Sequence, residues 1–396
     1  MRKALSRHLF TAAALAVAGL ALSATNVRAD GPVTSRMTTA KFALMKGWWS
    51  TSDHGTSTPI NFNYMRSLMI ANGITVDTFN LQTSQAPLTQ VNLDKYDVIV
   101  WYNVYRMYEH FDSTTGNRIQ RWYEGNKGLA CFHQCVRSSS YTSGGKTIGW
   151  DWWVNMMGKD YNTYANTGAT GPVRIDAEAL GTVYDSTKFT AGQTFSWSDE
   201  WYTYLANPRG LPGTKMLWTT SDSSFKGVTF NSTMGNDHPL AWVRNYGGGR
   251  FSLNGMFHTT VMSTATGNLK AFIDSGLVGT YRFLAGYDGC KDPNYTEYNP
   301  KATHQPNGAC ATPTFIRVGS ANGSKGVRLD EFKVVFSQPG SHQVEVFNTQ
   351  GALVASRRGD GNGEYRFDEI RQPGIYYVRV LTADMQRPYS RKIILL

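Results

Sequence analysis

Apolar residues run in two different rhythms along this chain, and the change falls near residue 315. Upstream, short unbroken apolar runs alternate with segments whose apolar residues recur at helical spacing. Lys41-Phe-Ala-Leu-Met-Lys46, Ile74-Thr-Val-Asp-Thr-Phe79, Tyr96-Asp-Val-Ile-Val-Trp-Tyr102 and Gly128-Leu-Ala-Cys-Phe132 read as strands. The nearly continuous runs among them, Lys41–Lys46, Tyr96–Tyr102 and Gly128–Phe132, suit strands covered on both faces. Between the first two, Thr58-Pro59 opens a helix, with Thr as N-cap and Pro at the first helical position. That helix places Phe62, Met65, Met69 and Ile70 on one face and ends at Gly73. A second helix, Arg118 to Glu124, carries Ile119, Trp122 and Tyr123 and closes at Gly125-Asn-Lys-Gly128. The order strand, helix, strand, strand, helix, strand predicts an α/β fold built on a doubly wound parallel sheet.

The middle of the chain is less regular. Trp150 to Gly158 reads as a short aromatic helix whose tryptophans belong to a core, with stacking on a sugar ring as the alternative. Val173-Arg-Ile175 and Lys215-Met-Leu-Trp-Thr219 are strand-like, and Ser196 to Tyr202 is a polar-aromatic run. Asp237 to Tyr246 and Arg250 to His258 flank Gly247-Gly-Gly249, a hairpin signal. A helix from Leu269 to Leu284, apolar at Phe272, Ile273, Leu277, Tyr281 and Leu284, completes a first domain over residues 40–285. Residues 286–315 are rich in turn formers and read as a linker. Over residues 316–396 short alternating strands take over: Phe332–Phe336, His342–Phe347, Leu353–Ala355, Gly374–Val380 and Arg391–Leu396. Separated by turns such as Asp360-Gly-Asn-Gly363, they predict a small β-sandwich.

Composition narrows the class. A chain of 396 residues with 41% hydrophobic, 13% aromatic and 17% charged residues is long enough for two ordered domains. Its start, Met-Arg-Lys-Ala-Leu-Ser-Arg7, is basic; an apolar run from Leu9 to Ala24 follows, and Val27-Arg-Ala29 makes a cleavage site. Residues 1–29 therefore read as a signal peptide, and the protein as secreted or displayed at the cell surface. No later segment is apolar enough to span a bilayer, so no transmembrane segment is expected in the mature chain. Loss of Arg2, Lys3, Arg7 and Arg28 takes the formal charge from +10 to +6. That mild excess, without basic runs interleaved with aromatics, argues against a nucleic-acid partner and leaves acidic glycans or an anionic surface. Of four cysteines, Cys290 and Cys310 bracket the turn-rich linker and are expected to form a disulfide. Cys131 and Cys135 read as small core residues.

Chemistry concentrates where strands end. His133 is the first polar residue past an apolar strand, and in open α/β sheets ligands sit beyond the strands' carboxyl ends; a core histidine satisfied by one hydrogen bond is the alternative reading. His258 ends a second strand in the same way, while Trp48, Trp49 and His54 follow a third and Asn103 a fourth. Asp199-Glu200 adds carboxylates between aromatics. Of these neighbours one should reach the crevice, unless the pair simply begins a helix and favours its dipole. His133, His258 and Asp199 or Glu200 could serve as acid and base on a sugar hydroxyl or glycosidic oxygen. They could also hold a divalent metal; no His-x-x-x-His spacing supports the second use. The backbone N–H groups of Gln134 and Cys135 would stand beside the His133 ring.

Gly128-Leu-Ala-Cys-Phe-His133, Asp199-Glu-Trp-Tyr202, His238-Pro-Leu-Ala-Trp-Val243 and Gly249-Arg-Phe-Ser-Leu-Asn-Gly-Met-Phe-His258 together resemble the trehalose-utilisation (ThuA-like) family. Four motifs in order across residues 40–285 carry the likeness. It implies a flavodoxin-like sheet related to class I glutamine amidotransferases, in proteins linked to sugar catabolism. Independently of the resemblance, the strand-end positions and the paired carboxylates make His133, Asp199, Glu200 and His258 the candidate catalytic residues. Trp48, Trp49, His54, Asn103, Gln134, Trp201 and His238 become the candidate sugar contacts. In amidotransferases the nucleophile is a Cys at a strand-to-helix elbow. Here His133 takes that place and Cys131 lies inside the strand, so glutamine hydrolysis is not expected. A non-catalytic glycan-binding module is the competing reading. The C-terminal strands are similar to type A sorting domains of the type IX secretion system, which implies the outer-membrane secretion machinery as a partner.

Overall fold

The computed structural model describes residues 30–47, 54–105, 107–138, 140–143, 146–158, 161–221, 234–293, 295–311, 327–330, 333–337, 339–370, 372–383 and 389–395. The proposed signal peptide, with Trp48 and Trp49, lies outside them. Nine strands form the main sheet: β1 (Lys41–Gly47), β2 (Thr75–Asn80), β3 (Val98–Val104), β4 (Gly128–Phe132), β5 (Tyr161–Ile175), β6 (Thr194–Tyr204), β7 (Thr214–Thr220), β8 (His238–Tyr246) and β9 (Gly249–Asn254). Their spatial order is β2-β1-β3-β4-β9-β8-β7-β5-β6.

From β2 across to β9 every pair is parallel. From β9 to β6 every pair is antiparallel. The expected all-parallel sheet is therefore half of a mixed one. Connections explain the division. The parallel strands are joined by helical crossovers, whereas β8 and β9 meet through the tight turn at Gly247-Gly248, both with positive φ. The middle of the sequence looked irregular because a bulge between Ala165 and Ala169 breaks the alternation where β5 meets β6. Asp199 and Glu200 consequently lie on a strand, not at a helix start.

Successive residues of a buried strand face opposite layers, and both layers are apolar. Phe42, Leu44, Val100, Ala130 and Phe132 pack with the helix α1 (Ser57–Ala71) and with a long helix, Gly267–Ala285. Ala43, Met45, Ile99, Trp101, Leu129 and Cys131 pack on the other side with α2 (Ser113–Glu124) and α3 (Asp151–Met157), labelled in chain order so that the long helix is α4. The start of α2 is capped by the Asp112 carboxylate, which accepts from the Thr115 N–H at 2.7 Å. Gly128 opens β4 because a Cβ there would lie 2.4 Å from the Leu284 carbonyl oxygen at the end of α4.

Beyond α4 the chain folds onto the amino ends of the strands, opposite the end where His133 emerges. Cys290 and Cys310 are joined, as expected, and Cys131 and Cys135 are buried free thiols. Asn126 donates to the Thr303 carbonyl, and Arg36 ties this segment to the sheet through Asp97, Asp288 and His304. Farther on, residues 327–395 form a three-stranded and a four-stranded antiparallel sheet. Val334, Phe336, Val344, Val346, Phe367, Val378 and Val380 make their shared core. No helix among the described residues is long and apolar enough to cross a membrane.

His304 gives this docked segment a pH dependence. Its Nε2 accepts from the Arg36 guanidinium at 2.6 Å while Nδ1 meets Thr303 Oγ1 at 2.8 Å, an arrangement that requires a neutral ring. Burial, then the Arg36 and Arg250 charges, lower its pKa from 6.5 to about 4. The unfolded chain binds a proton below the ordinary value that the folded chain refuses, so this contribution is present above it and lost as pH falls towards 4. Denaturant midpoints measured across that window should fall with pH, and His304→Gln should flatten the slope.

Candidate functional site

The site is assembled where three parallel strands end and one antiparallel strand passes. His133 is the first residue after β4 and has φ +56°, a left-handed backbone that turns the chain sharply out of the sheet into a short 3-10 helix, His133–Ser138. This turn sends its side chain back over the strand ends instead of continuing the pleat. His133 Nε2 lies 3.0 Å from His54 Nε2, 3.2 Å from His258 Nδ1 and 3.4 Å from Glu200 Oε2. His258 Nδ1 is 3.5 Å from the same Glu200 oxygen. All four side chains are buried, and His258, at 8%, is the most open. These four also form the one group of potential metal ligands found among the described residues.

Asp199 and Glu200 divide their roles through the strand's alternation. Glu200 turns into the cluster, where its Oε2 accepts from the Tyr202 hydroxyl at 2.6 Å, two residues along the same strand face. Asp199 turns to the loop after β9. Its carboxylate accepts from the backbone N–H groups of Phe257 at 2.9 Å and His258 at 2.7 Å, and from Trp197 Nε1 at 2.8 Å. Burial pushes its pKa up, and these hydrogen bonds draw it part of the way back.

Phe257 has φ +82°, a conformation that costs about 1–3 kcal/mol for a non-glycine residue. Its peptide is gripped from both ends. Asp199 takes the N–H, while the Tyr102 hydroxyl at 2.8 Å and Asn61 Nδ2 at 3.1 Å donate to its carbonyl. His258 is thereby set beside His133.

The remaining sequence candidates fall into separate places. Asn103, with φ +52°, donates to Thr58 Oγ1 at 2.7 Å and accepts from the Gln134 N–H at 3.4 Å. It thus joins the start of α1 to the turn after β4. Gln134 is buried beside it. His238 Nε2 donates to the Tyr202 carbonyl at 2.9 Å and supports the strand that carries Glu200. Trp201 lies in the apolar layer at 1% exposure, against Gly171. Tyr202, Asn61 and Tyr102 were absent from the sequence candidates. For Tyr202 the available signal was its place two residues after Glu200; Asn61 stood out only as a polar residue on an apolar helix face.

Cys131 is wholly buried, and burial first, with a hydrogen bond to Cys135 second, raises its thiol pKa well above the usual value. Such a thiol stays protonated and is a poor nucleophile.

The Asp199 grip should be measurable as stability. In Asp199→Ala several buried donors lose their acceptor, each costing about 1–3 kcal/mol. A loss of at least about 3 kcal/mol in chemical denaturation is expected.

Residues 48–278 match the family model ThuA, trehalose utilisation. A crystal structure of a ThuA-like protein from Bacteroides uniformis ATCC 8492 is similar, with a TM-score of 0.47 and 16% identity, over 61% of this chain and 91% of that one. No curated protein matches. The family match spans more than half of the sequence and contains His54, His133, Glu200 and His258, so the chain belongs to the ThuA, trehalose-utilisation family.

Proposed function

We propose that this protein acts on a carbohydrate, with the His54–His133–Glu200–His258 cluster as its reacting centre. The observation that carries the reading is the convergence itself: four polar side chains from four chain segments meet at the strand ends, inside the region that matches a trehalose-utilisation family. The parallel half has the order β2-β1-β3-β4-β9, which corresponds to the flavodoxin-like arrangement 2-1-3-4-5. In that arrangement strand order reverses between β1 and β3, and ligands enter the crevice beyond the reversal. His54 follows β1 and His133 follows β4, so both border that crevice.

The work available to the cluster is on a sugar oxygen. A hydroxyl, a carbonyl or a glycosidic oxygen placed against His258, the most open member, would meet ring nitrogens and the Glu200 carboxylate. Glu200 is held by Tyr202, so little reorganisation accompanies a change of charge there. The Asp199 carboxylate acts as a positioning group, through the backbone of His258. Gln134 remains a candidate for sugar contact near the same strand ends, and Trp48 and Trp49, outside the described residues, remain candidates from the sequence.

Export belongs to the same proposal. Residues 1–29 would direct the chain out of the cytoplasm, and residues 316–396 would form a β-sandwich of the type A sorting kind, handed to the outer-membrane secretion machinery. Their separate core and the absence of cluster residues from them support that division of labour.

Turnover of trehalose, other disaccharides and their 3-keto derivatives should be followed with the mature chain and with Glu200→Gln. The expected result is turnover of at least one of them, reduced at least about 100-fold in the variant, a loss of the size that one positioned proton-transfer group contributes. Saturable sugar binding without turnover would instead establish a glycan-binding module. A chain ending at residue 315 should keep the activity of the full chain.

A further inference from the structure

We infer that His54 Nε2, His133 Nε2, His258 Nδ1 and Glu200 Oε2 bind one divalent first-row transition-metal ion. This deepens the carbohydrate reading, and rests on it for the site's use, by supplying the cofactor class of that centre. The first support is a count of hydrogens. Four close contacts link the four atoms, at 3.0, 3.2, 3.4 and 3.5 Å. A ring nitrogen presents either one N–H or one lone pair, and a carboxylate presents only lone pairs. If His133 Nε2 is an acceptor, both imidazole neighbours can donate to it, but its own contact with Glu200 is then lone pair against lone pair, and no hydrogen is left for the His258–Glu200 contact. If it is a donor, its one hydrogen serves one neighbour, and His258 can serve Glu200. No pattern supplies hydrogens for more than two of the four contacts. One cation at the centre satisfies all of them, since every lone pair then points at positive charge.

Distance gives the second support. Metal–nitrogen lengths of about 2.0–2.1 Å and metal–oxygen lengths of about 2.0–2.2 Å put two tetrahedral ligand atoms roughly 3.3 Å apart. The observed contacts, 3.0–3.5 Å, bracket that value, and all four atoms lie within 4.8 Å of one another. Ligand type then selects the ion. Three imidazoles with one carboxylate suit zinc and its transition-metal neighbours, whereas calcium and magnesium prefer all-oxygen sites.

The surroundings are those of a ligand set held in advance. His133 Nδ1 faces the Gly255 carbonyl at 3.4 Å, which fixes Nε2 as the atom turned to the cluster. Tyr202 orients the Glu200 carboxylate, and Asp199 fixes the backbone of His258. The ligands come from positions 54, 133, 200 and 258, one from each of four segments, so no short His-x-x-x-His spacing could announce them. A bound ion would contribute charge stabilisation to a sugar oxygen. With their lone pairs so committed, the imidazoles would orient the site instead of moving protons.

The test uses the full mature chain, stripped with a chelator and checked for native circular dichroism. Titration with Co²⁺ should give one equivalent bound, with visible d–d absorption of a nitrogen-ligated ion that Zn²⁺ displaces and excess Mg²⁺ or Ca²⁺ does not. His54→Ala and Glu200→Gln should each weaken Zn²⁺ binding at least about 100-fold by calorimetry, and Tyr202→Phe about tenfold, the range for loss of an outer hydrogen bond. A folded wild-type chain with no saturable Co²⁺ or Zn²⁺ site overturns the inference. So does a site that both ligand variants retain at full affinity. Sugar turnover by the stripped chain, without metal binding, would leave the carbohydrate reading standing and remove only the metal. Stoichiometric metal binding without any sugar ligand would uphold the metal and count against the carbohydrate.

Discussion

The Phe257 peptide is the small constraint on which the cluster depends. A bulky residue at φ +82° stays there because Asp199 holds its N–H and Tyr102 with Asn61 holds its carbonyl. These holders come from three places: a strand of the antiparallel half, a strand of the parallel half, and the first helix. The turn thus records the correct mutual placement of all three. Relax it, and His258 would continue along the line of β9, away from His133. The energy stored in one unfavourable backbone conformation is offset by hydrogen bonds that form only when the two halves of the sheet are in register.

The mixed sheet explains why a carboxylate meets three histidines at all. Parallel strands deliver their ends to one edge of the layer, and His54, His133 and His258 all follow such ends. Glu200 arrives differently, from within an antiparallel strand, where alternate residues face alternate layers. The strand therefore supplies Glu200 and Tyr202 to the cluster while Trp201 between them fills the core. The parallel half alone would leave three imidazoles without a charge partner.

Much of this was legible before any coordinates. Unbroken apolar runs marked β1, β3 and β4, the Thr58-Pro59 pair marked the first turn of α1 though the N-cap is Thr56 and not Thr58, the triple glycine marked the β8–β9 turn, and turn-rich sequence marked the Cys290–Cys310 loop. His133 and His258 stood out because each breaks an apolar strand. What stayed hidden was long-range. The antiparallel half was obscured by a bulge and by polar residues in β5. Trp201 reads as a sugar contact in the sequence because aromatics suit both cores and sugars, and its burial in the apolar layer had no local signal. The choice between Asp199 and Glu200 depended on which face of a strand each occupied. Asn61 stood out only as a polar residue on an apolar helix face, and its partners, a tyrosine hydroxyl and backbone carbonyls far along the chain, left no local sign.

The strand order also carries a kinetic consequence. β4 pairs with β3 on one side and with β9 on the other, and β9 begins at Gly249, long after β4 ends at Phe132. As the chain emerges, β1 to β4 can assemble while the Leu129-Ala-Cys-Phe132 edge still has open hydrogen-bonding groups and no partner. An apolar edge of this kind is a template for pairing with another chain. Aggregation during folding should therefore begin at β4. Conditions that slow synthesis until β9 can arrive, or a chaperone that covers this edge, would raise the yield of native protein without any change in its final stability.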